Sequence, residues 1–197
     1  MELKEQLNER IDRWALLRHP FYRAWESGEL PLAALQSYAR EYGAFISQLP
    51  LGWETVNDRA TAEEERQHAE LWGLFASGLD THVADPGLHA VADLVARSAS
   101  LFAKPATALG ALYAFEAQQP ATAASKLDGL RTHYSLPASV EPYFVAHASN
   151  QHESVKLLDL IAALPENERD TALGACEQMS AALWNALTDI YDTHCSM

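Results

Sequence analysis

Residues 19–42 decide the fold, and they read HPFYRAWESGELPLAALQSYAREY. His19-Pro20 ends the helix that precedes it, because proline disfavours the α conformation in the residue before it. Residues 21–26 predict a short helical turn, and residues 27–31 predict a loop that leads into a new helix. Proline is favoured in the first turn of a helix, so Pro31 marks its start.

Outward from this stretch, the rest of the chain also predicts helices. Apolar residues recur at helical spacing in seven further segments, which are residues 2–17, 51–79, 87–98, 105–119, 121–134, 140–164 and 165–197. Pro50 closes the helix that begins at Pro31, and a kink is expected near residues 57–61. No strand pattern, repeat or low-complexity linker stands out. The sequence therefore predicts one all-α domain over residues 1–197, a bundle-like array of about seven or eight helices.

Composition excludes several classes of protein. The net charge of −13 argues against a nucleic-acid partner or an anionic membrane surface. The two cysteines form neither a disulfide framework nor a Cys-x-x-Cys motif. The N-terminus is charged rather than a signal peptide, and no apolar run approaches the roughly 18 residues of a membrane span. We expect a cytoplasmic protein in a reducing compartment.

The segment Glu63-Glu64-Glu65-Arg66-Gln67-His68 has the first pattern with chemical content. Glu65 and His68 are three residues apart and share one helix face. Glu-x-x-His is the pattern by which helical bundles present a carboxylate and an imidazole to iron or manganese. An acidic run that ends in one satisfied core histidine is the alternative.

Glu116 lies on an apolar stripe together with Leu109, Leu112 and Tyr113, at positions i, i+3, i+4 and i+7. Burying an unpaired carboxylate costs several kcal/mol, so this one is paired, protonated or bound to a metal. The alternative is a buried ion pair with one of four arginines, which are Arg13, Arg18, Arg23 and Arg40.

Two histidines lie in the polar stretch Tyr143-Phe144-Val145-Ala146-His147-Ala148-Ser149-Asn150-Gln151-His152. On a regular helix, His147 and His152 point about 140° apart. They converge on one ion only if the helix is bulged or locally unwound, and a π-bulge is the usual device. Without a bulge, His147 shares its face with Gln151 and Ser154.

Five tyrosines lie mostly on apolar faces and line either a pocket or an ordinary core, namely Tyr22, Tyr38, Tyr42, Tyr113 and Tyr143. Lys126, taken alone, would be a solvated surface lysine. The chain shows no Ser-His-Asp order, phosphate loop or dinucleotide motif, and it has too few cysteines for a cysteine-rich zinc site.

The stretch quoted first resembles the opening of the TenA/PqqC superfamily, which has the haem-oxygenase-like fold. Four further stretches support the resemblance, which are residues 68–72, 111–116, 126–130 and 143–147. It covers the chain from about residue 10 to the last helix. The similarity is greatest to the branch of haem-oxygenase-like diiron oxidases that includes the chlamydial death-domain-associating protein (CADD).

The resemblance implies a non-haem iron oxidase or oxygenase that uses O₂ on a small molecule or on its own side chain. Some members of the branch form p-aminobenzoate by oxidising a tyrosine of their own chain, whereas here Phe115 replaces one of the family's tyrosines. The branch holds two irons and no haem, so for this chain the resemblance implies one or two irons, or manganese. Carried over, the metal ligands are Glu65 (or Glu64), His68, Glu116 and His147. The pocket residues carried over are Tyr22, Tyr42, Lys126 and Tyr143.

The later ligand motif of the family, His-x-x-x-Asp-x-x-His, is not intact here. Without a gap, its Asp and second His become Gln151 and Ser154. With a two-residue deletion, His152 takes the place of the second His, and Asn150 or Gln151 stands near the Asp. Iron prefers carboxylate and imidazole ligands, so the second iron site is weakened in both alignments of the motif.

Two other interpretations stay open. One is a metal-free relative that acts as a small-molecule binding or interaction module, which the incomplete motif favours. The other is a metal-free enzyme of the thiamine-salvage or PqqC type, although the central helix has no cysteine nucleophile. The resemblance also implies a homodimer.

Overall fold

The computed structural model describes residues 2–150 and 152–195, and these residues form helices, turns and loops without strands. The helices are α1 (Leu3–Asp12), α2 (Pro20–Glu26), α3 (Leu32–Ser37), α4 (Gly43–Ile46), α5 (Leu49–Thr55), α6 (Arg59–Gly78), α7 (His89–Leu101), α8 (Pro105–Glu116), α9 (Gln119–His133), α10 (Pro142–Ala148), α11 (His152–Ala162) and α12 (Glu166–Cys195). Among the described residues, seven helices have ten or more residues, namely α1, α6, α7, α8, α9, α11 and α12. The all-α prediction is confirmed. None of these helices combines the length and apolarity that crossing a bilayer requires.

Most boundaries between helices have local causes. Pro50 and Pro120 lie in the first turns of α5 and α9, where the missing backbone N–H is not needed. Between α5 and α6, Asn57 has a positive φ of 63°. Asp58 then caps α6 by accepting a hydrogen bond from the N–H of Thr61 at 3.1 Å. The kink expected near residues 57–61 is therefore a complete break.

The first helix is shorter than predicted. It ends at Asp12 instead of near Leu17, and Leu16–Arg18 forms a 3-10 turn. The N–H of Leu16 donates to the side chain of Gln118 at 2.9 Å, across 102 residues of sequence. A distant side chain thus satisfies a backbone group that a longer helix would have used, and local periodicity does not reveal such a contact.

The segment predicted as one helix over residues 140–164 is divided into α10 and α11. Asn150 follows α10, and its side-chain oxygen accepts a hydrogen bond from the N–H of His152 at 3.3 Å. Asparagine side chains compete with the helix for backbone groups in this way. The prediction of a continuous helix is therefore wrong.

A π-helical turn occurs elsewhere, at Tyr38–Tyr42, between α3 and α4. Its carbonyls accept hydrogen bonds from other parts of the chain. The carbonyl of Ala39 accepts from the indole N–H of Trp72 at 2.8 Å, and that of Arg40 accepts from the N–H of Ala84 at 3.2 Å. A π turn leaves carbonyls outside the regular helix pattern, and these contacts satisfy them.

Helix α8 is the centre of the fold. Every residue from Ala108 to Glu116 is buried, and the buried apolar side chains from α1 to α12 form one continuous cluster around it. Helix α12 packs so closely that a Cβ added at Gly110 would overlap the carbonyl oxygen of Ala172. A polar side chain near the end of α8 therefore lies inside the core.

Candidate metal centre

Three potential metal ligands from α6 and α10 meet in the core. Glu65, His68 and His147 each offer one ligand atom, and these atoms lie within 4.8 Å of one another. The rings of the two histidines have centroids 4.3 Å apart. None of the three residues is more than 7% exposed. The structure thus places these three predicted ligands together.

The pair on α6 is held by a hydrogen bond between its own members. The Nδ1 atom of His68 lies 2.8 Å from Oε1 of Glu65, and an ionised carboxylate can only accept, so Nδ1 donates. Burial opposes the charging of His68, but the hydrogen bond and the negative charge of Glu65 outweigh it and raise the pKa of His68. The second oxygen of Glu65 is buried and has no described hydrogen-bond partner.

His147 is fixed in the tautomer that a metal ligand needs. Its Nδ1 lies 2.8 Å from the backbone carbonyl of Tyr143, one turn earlier, and a carbonyl can only accept. Its Nε2 therefore carries a lone pair, and this atom is buried with no hydrogen-bond partner in the described part of the chain. Burial, and then the nearby His68, lower the pKa of His147 to about 3, so the ring is neutral.

Glu116, the fourth predicted ligand, is the last residue of the central helix α8; it lies near Glu65 but outside the group whose ligand atoms are within 4.8 Å of one another. It is 2% exposed, and its oxygens have no described hydrogen-bond partner with good geometry, although the nearby side chain of Trp53 acts to lower its pKa. Burial, and then the negative charges of Glu65 and Glu153, raise its pKa well above the usual range. The four arginines considered as partners are all exposed, so the alternative of a buried ion pair with one of them is wrong.

Glu153 joins this cluster, although the sequence did not indicate it. It lies in the first turn of α11, is 2% exposed, and its Oε1 has no described hydrogen-bond partner. Burial, and then the charge of Glu65, raise its pKa to about 7, while a hydrogen bond from the side chain of Asn150 opposes the rise. Its position depends on the break after α10. The Ser149-Asn150 pair, as a helix-breaking signal, could have found it.

His152 lies at the edge of the cluster. Its side chain is 58% exposed, and its Nε2 is 3.9 Å from Oε1 of Glu153. Together with the half-buried Glu64, these two residues form a second group of ligand atoms within 4.8 Å of one another. Ser154 is half-buried on α11, and Gln151 lies outside the described residues.

The donor set fits iron or manganese. The group of Glu65, His68 and His147 offers one carboxylate and two imidazoles, and two more buried carboxylates, of Glu116 and Glu153, lie close enough to interact with the charge of Glu65. Such ligands suit these borderline and hard cations. Among the ion pairs of the described residues, no lysine or arginine neutralises any of these three carboxylates. Buried carboxylates without a counter-charge are strongly unfavourable, and a divalent cation would supply that charge.

A second cluster, of phenols around one amine, lies between α2, α9 and the π turn. Lys126 is 3% exposed, and its Nζ donates to the hydroxyls of Tyr22 at 3.4 Å and Tyr38 at 3.2 Å. Burial lowers the pKa of Lys126 to about 7. The interpretation of Lys126 as a solvated surface lysine is therefore wrong, and its burial agrees with the pocket position that the resemblance implies; Tyr38 was one of the five candidate tyrosines but was not among the residues carried over from the family.

Tyr42 and Tyr143 connect the two clusters. The ring of Tyr42 stacks on that of Tyr38, with centroids 4.8 Å apart, and its hydroxyl is buried with no described hydrogen-bond partner. The ring of Tyr143 lies 4.3 Å from that of His147, and its hydroxyl accepts from the side-chain amide of Gln119 at 2.9 Å. Burial is the main reason that the pKa of each phenol is raised well above 10.

The chain is similar in sequence to known proteins. The model of a protein family described as iron-containing redox enzymes matches residues 53–185. The chain is also similar to a protein named 4-aminobenzoate synthase from Chlamydia pneumoniae, with 27% identity over 212 residues that cover 96% of this chain and 95% of the relative.

Two solved structures share the fold. One is a domain of unknown function with a haem-oxygenase-like fold from Shewanella denitrificans OS217, with a TM-score of 0.80, 16% identity and coverage of 98% of this chain and 93% of the other. The second is a TenA homologue from P. horikoshii OT3, with a TM-score of 0.77, 15% identity and coverage of 97% and 99%. At such identities the likeness shows the fold, and it confirms the haem-oxygenase-like prediction.

Proposed function

Because the chain belongs to the family of iron-containing redox enzymes, we propose that it is a non-haem, iron-dependent oxidase or oxygenase that uses O₂. The observation that carries this proposal is the meeting of Glu65, His68 and His147 in the core, with Glu116 buried nearby on the central helix. Three of these residues, Glu65, Glu116 and His147, have buried ligand atoms without a described partner. A metal-free binding module would have no need of them.

The residues of the chain orient and insulate this site. When bound, iron would supply the electrons that activate O₂. The hydrogen bond to Glu65 orients His68, and the carbonyl of Tyr143 orients His147, as partners of ligating histidines commonly do. The surrounding buried aromatic rings, including that of Trp72, keep water away from the ligand atoms.

The cluster of phenols around Lys126 supports a role for these residues in handling the organic substrate. We assign Tyr22, Tyr42, Tyr143 and Lys126 to positioning the substrate, or to being oxidised themselves. The C. pneumoniae relative is named for 4-aminobenzoate, and we propose this compound as the first product to test. Phe115 has no hydroxyl, so oxidation of a tyrosine of this chain would use one of the other phenols.

To test this proposal, the purified protein is loaded with Fe(II) in the absence of oxygen and is then exposed to O₂ and a reductant. We expect bound iron, O₂ uptake and 4-aminobenzoate detected by mass spectrometry. Glu116→Gln should lose iron and O₂ uptake, whereas Glu63→Gln should retain both, because Glu63 is exposed and pairs with Arg66 at the surface. Iron below about 0.2 per chain, with activity unchanged in Glu116→Gln, would reject the proposal.

The cellular setting is part of the same proposal. An acidic chain with two free cysteines among its described residues supports a single-domain protein of the cytoplasm. The resemblance to dimeric relatives supports a homodimer. Light scattering in solution should give twice the chain mass of 21.7 kDa, and a mass of one chain would contradict the dimer.

A further inference from the structure

Gln119 is a buried amide at the start of α9, close to the metal centre. Its Nε2 lies 2.9 Å from the phenol oxygen of Tyr143, and neither side chain is more than 3% exposed. A polar group is kept in a core only where its hydrogen bonds are satisfied, and an apolar side chain of similar size would fill the same space without that requirement. The amide therefore indicates a role for the hydrogen bond that it forms.

The contacts of Thr122 orient this amide. The hydroxyl of Thr122 lies 3.2 Å from the backbone carbonyl of Gln119 and 3.3 Å from its Oε1. Both of these oxygens are acceptors, so the hydroxyl donates toward them and holds Oε1 on the side of Thr122. The other end of the amide, Nε2, then faces Tyr143 and donates to it.

Because Tyr143 accepts from Gln119, the proton of its own O–H is left to be donated in another direction. The hydroxyl of Tyr42 forms no hydrogen bond with any described residue, so it is not the acceptor. The carboxylates of Glu65 and Glu116 lie close enough to Tyr143 that, after burial, their charges raise its pKa. Each of them has a buried oxygen without a described partner. The O–H of Tyr143 therefore faces the metal centre.

We propose that Gln119 is a positioning residue, which holds the oxygen of Tyr143 from one side so that the phenol presents its O–H to the metal centre on the other. The consequence for the reaction rests on the proposed function, because O₂ or a substrate oxygen among the ligands is what this O–H would meet. A donor that is already oriented needs no reorganisation when the substrate binds. Gln119 forms no described hydrogen bond with a metal ligand, so it should not affect the metal content.

The direction of the hydrogen bond can be measured in the metal-free protein. Infrared spectra of protein labelled with deuterated tyrosine, compared with those of Tyr143→Phe, identify the C–O stretch of this phenol. An accepted hydrogen bond weakens the phenol C–O bond, whereas a donated one strengthens it. Gln119→Leu should therefore move the band to higher frequency, and Thr122→Val, which only releases the amide, should move it less in the same direction. Gln118→Leu is the matched control, because it removes a neighbouring amide that contacts backbone groups instead, and the band should stay in place.

After loading with Fe(II), Gln119→Leu should retain the iron content of wild type while its rate of O₂ uptake falls by about tenfold or more, as the loss of an oriented donor does. Gln118→Leu should retain both, and circular dichroism verifies the fold of each variant. A band that stays in place in Gln119→Leu, or moves to lower frequency, would overturn the inference, because Tyr143 would not be accepting from Gln119.

The O₂ measurement separates the two proposals. Unchanged O₂ uptake in Gln119→Leu would overturn the role of Gln119 in the reaction while leaving the proposed function intact. The expected band shift, in a wild type that binds iron but takes up no O₂, would reject the proposed function and still support the orientation of Tyr143 by Gln119.

Discussion

Lys126 is an amine kept in the core by two phenols and no carboxylate. Its contacts to Tyr22 and Tyr38 are neutral hydrogen bonds, and burial lowers its pKa from 10.5 to about 7. The folded protein therefore binds fewer protons than the unfolded chain between about pH 7 and pH 10.5. Stability should rise with pH across this window, because the cost of burying the charged amine disappears.

We expect Lys126→Met to stabilise the protein at pH 6 and to have little effect near pH 10. At 1.36 kcal/mol per pKa unit, the gain at low pH has a ceiling of roughly 4–5 kcal/mol. Urea unfolding at several pH values measures it, with the exposed Lys104 replaced by Met as the control. A gain that is the same at pH 6 and pH 10 would contradict the buried charge as its cause. If Lys126 serves the reaction, the stabilised variant should also lose activity.

For single residues, the sequence was informative where a side chain departed from the pattern of its helix face. A carboxylate on an apolar stripe identified Glu116 as a buried group that needs a partner. Glu153 showed no such anomaly, because an acidic residue near a helix start is ordinary. Its burial follows from the turn at Asn150, and the competition between one side chain and the backbone is hard to weigh from sequence alone.

The packing of α8 against α12 sets the position of Glu116, and it depends on Gly110. A Cβ at this position would overlap the backbone carbonyl of Ala172. We expect Gly110→Ala to lower the free energy of unfolding by roughly 2–3 kcal/mol, as overpacking of a rigid contact does. Thermal and urea unfolding measure the loss.

Gly174→Ala is the matched control in α12. No atom outside its own helix turns would lie within 4 Å of the added Cβ, so only the helix preference of alanine remains. This variant should gain about 0.5–1 kcal/mol. Equal effects at the two positions would show that the contact between α8 and α12 does not require a glycine.

The long helices were predictable because apolar periodicity accumulates over many turns. The short ones were not. The helix predicted from Pro31 to Leu49 consists of α3, the π turn and α4, and the π turn depends on Trp72 and Ala84 from distant parts of the chain. Tertiary contacts of this kind override local preference. They affect where a helix begins and ends more than whether it forms.

For the whole molecule, the ligand cluster joins four helices, which belong to three parts of the chain that are far apart in sequence. It takes Glu65 and His68 from α6, Glu116 from α8, His147 from α10 and Glu153 from α11. These side chains meet only in the folded protein. A bound cation would therefore stabilise the native state without stabilising the unfolded chain to the same degree.

A bound metal ion should stabilise the folded protein, whereas the Glu116 carboxylate should destabilise it when no metal is bound. We expect Mn(II) at 100 times its dissociation constant to stabilise wild type by about 2.7 kcal/mol, a rise in Tm of roughly 5–10 °C for a chain of this size. Without metal, Glu116→Gln should be more stable than wild type, because it removes a buried carboxyl whose raised pKa means that it takes up a proton when the chain folds. With metal, the order should reverse, since the variant has lost a ligand.

Calorimetry with and without chelator measures both orders, and Glu63→Gln, which alters an exposed carboxylate on α6, should behave as wild type. Equal stabilisation of wild type and Glu116→Gln by Mn(II) would remove Glu116 from the ligand set.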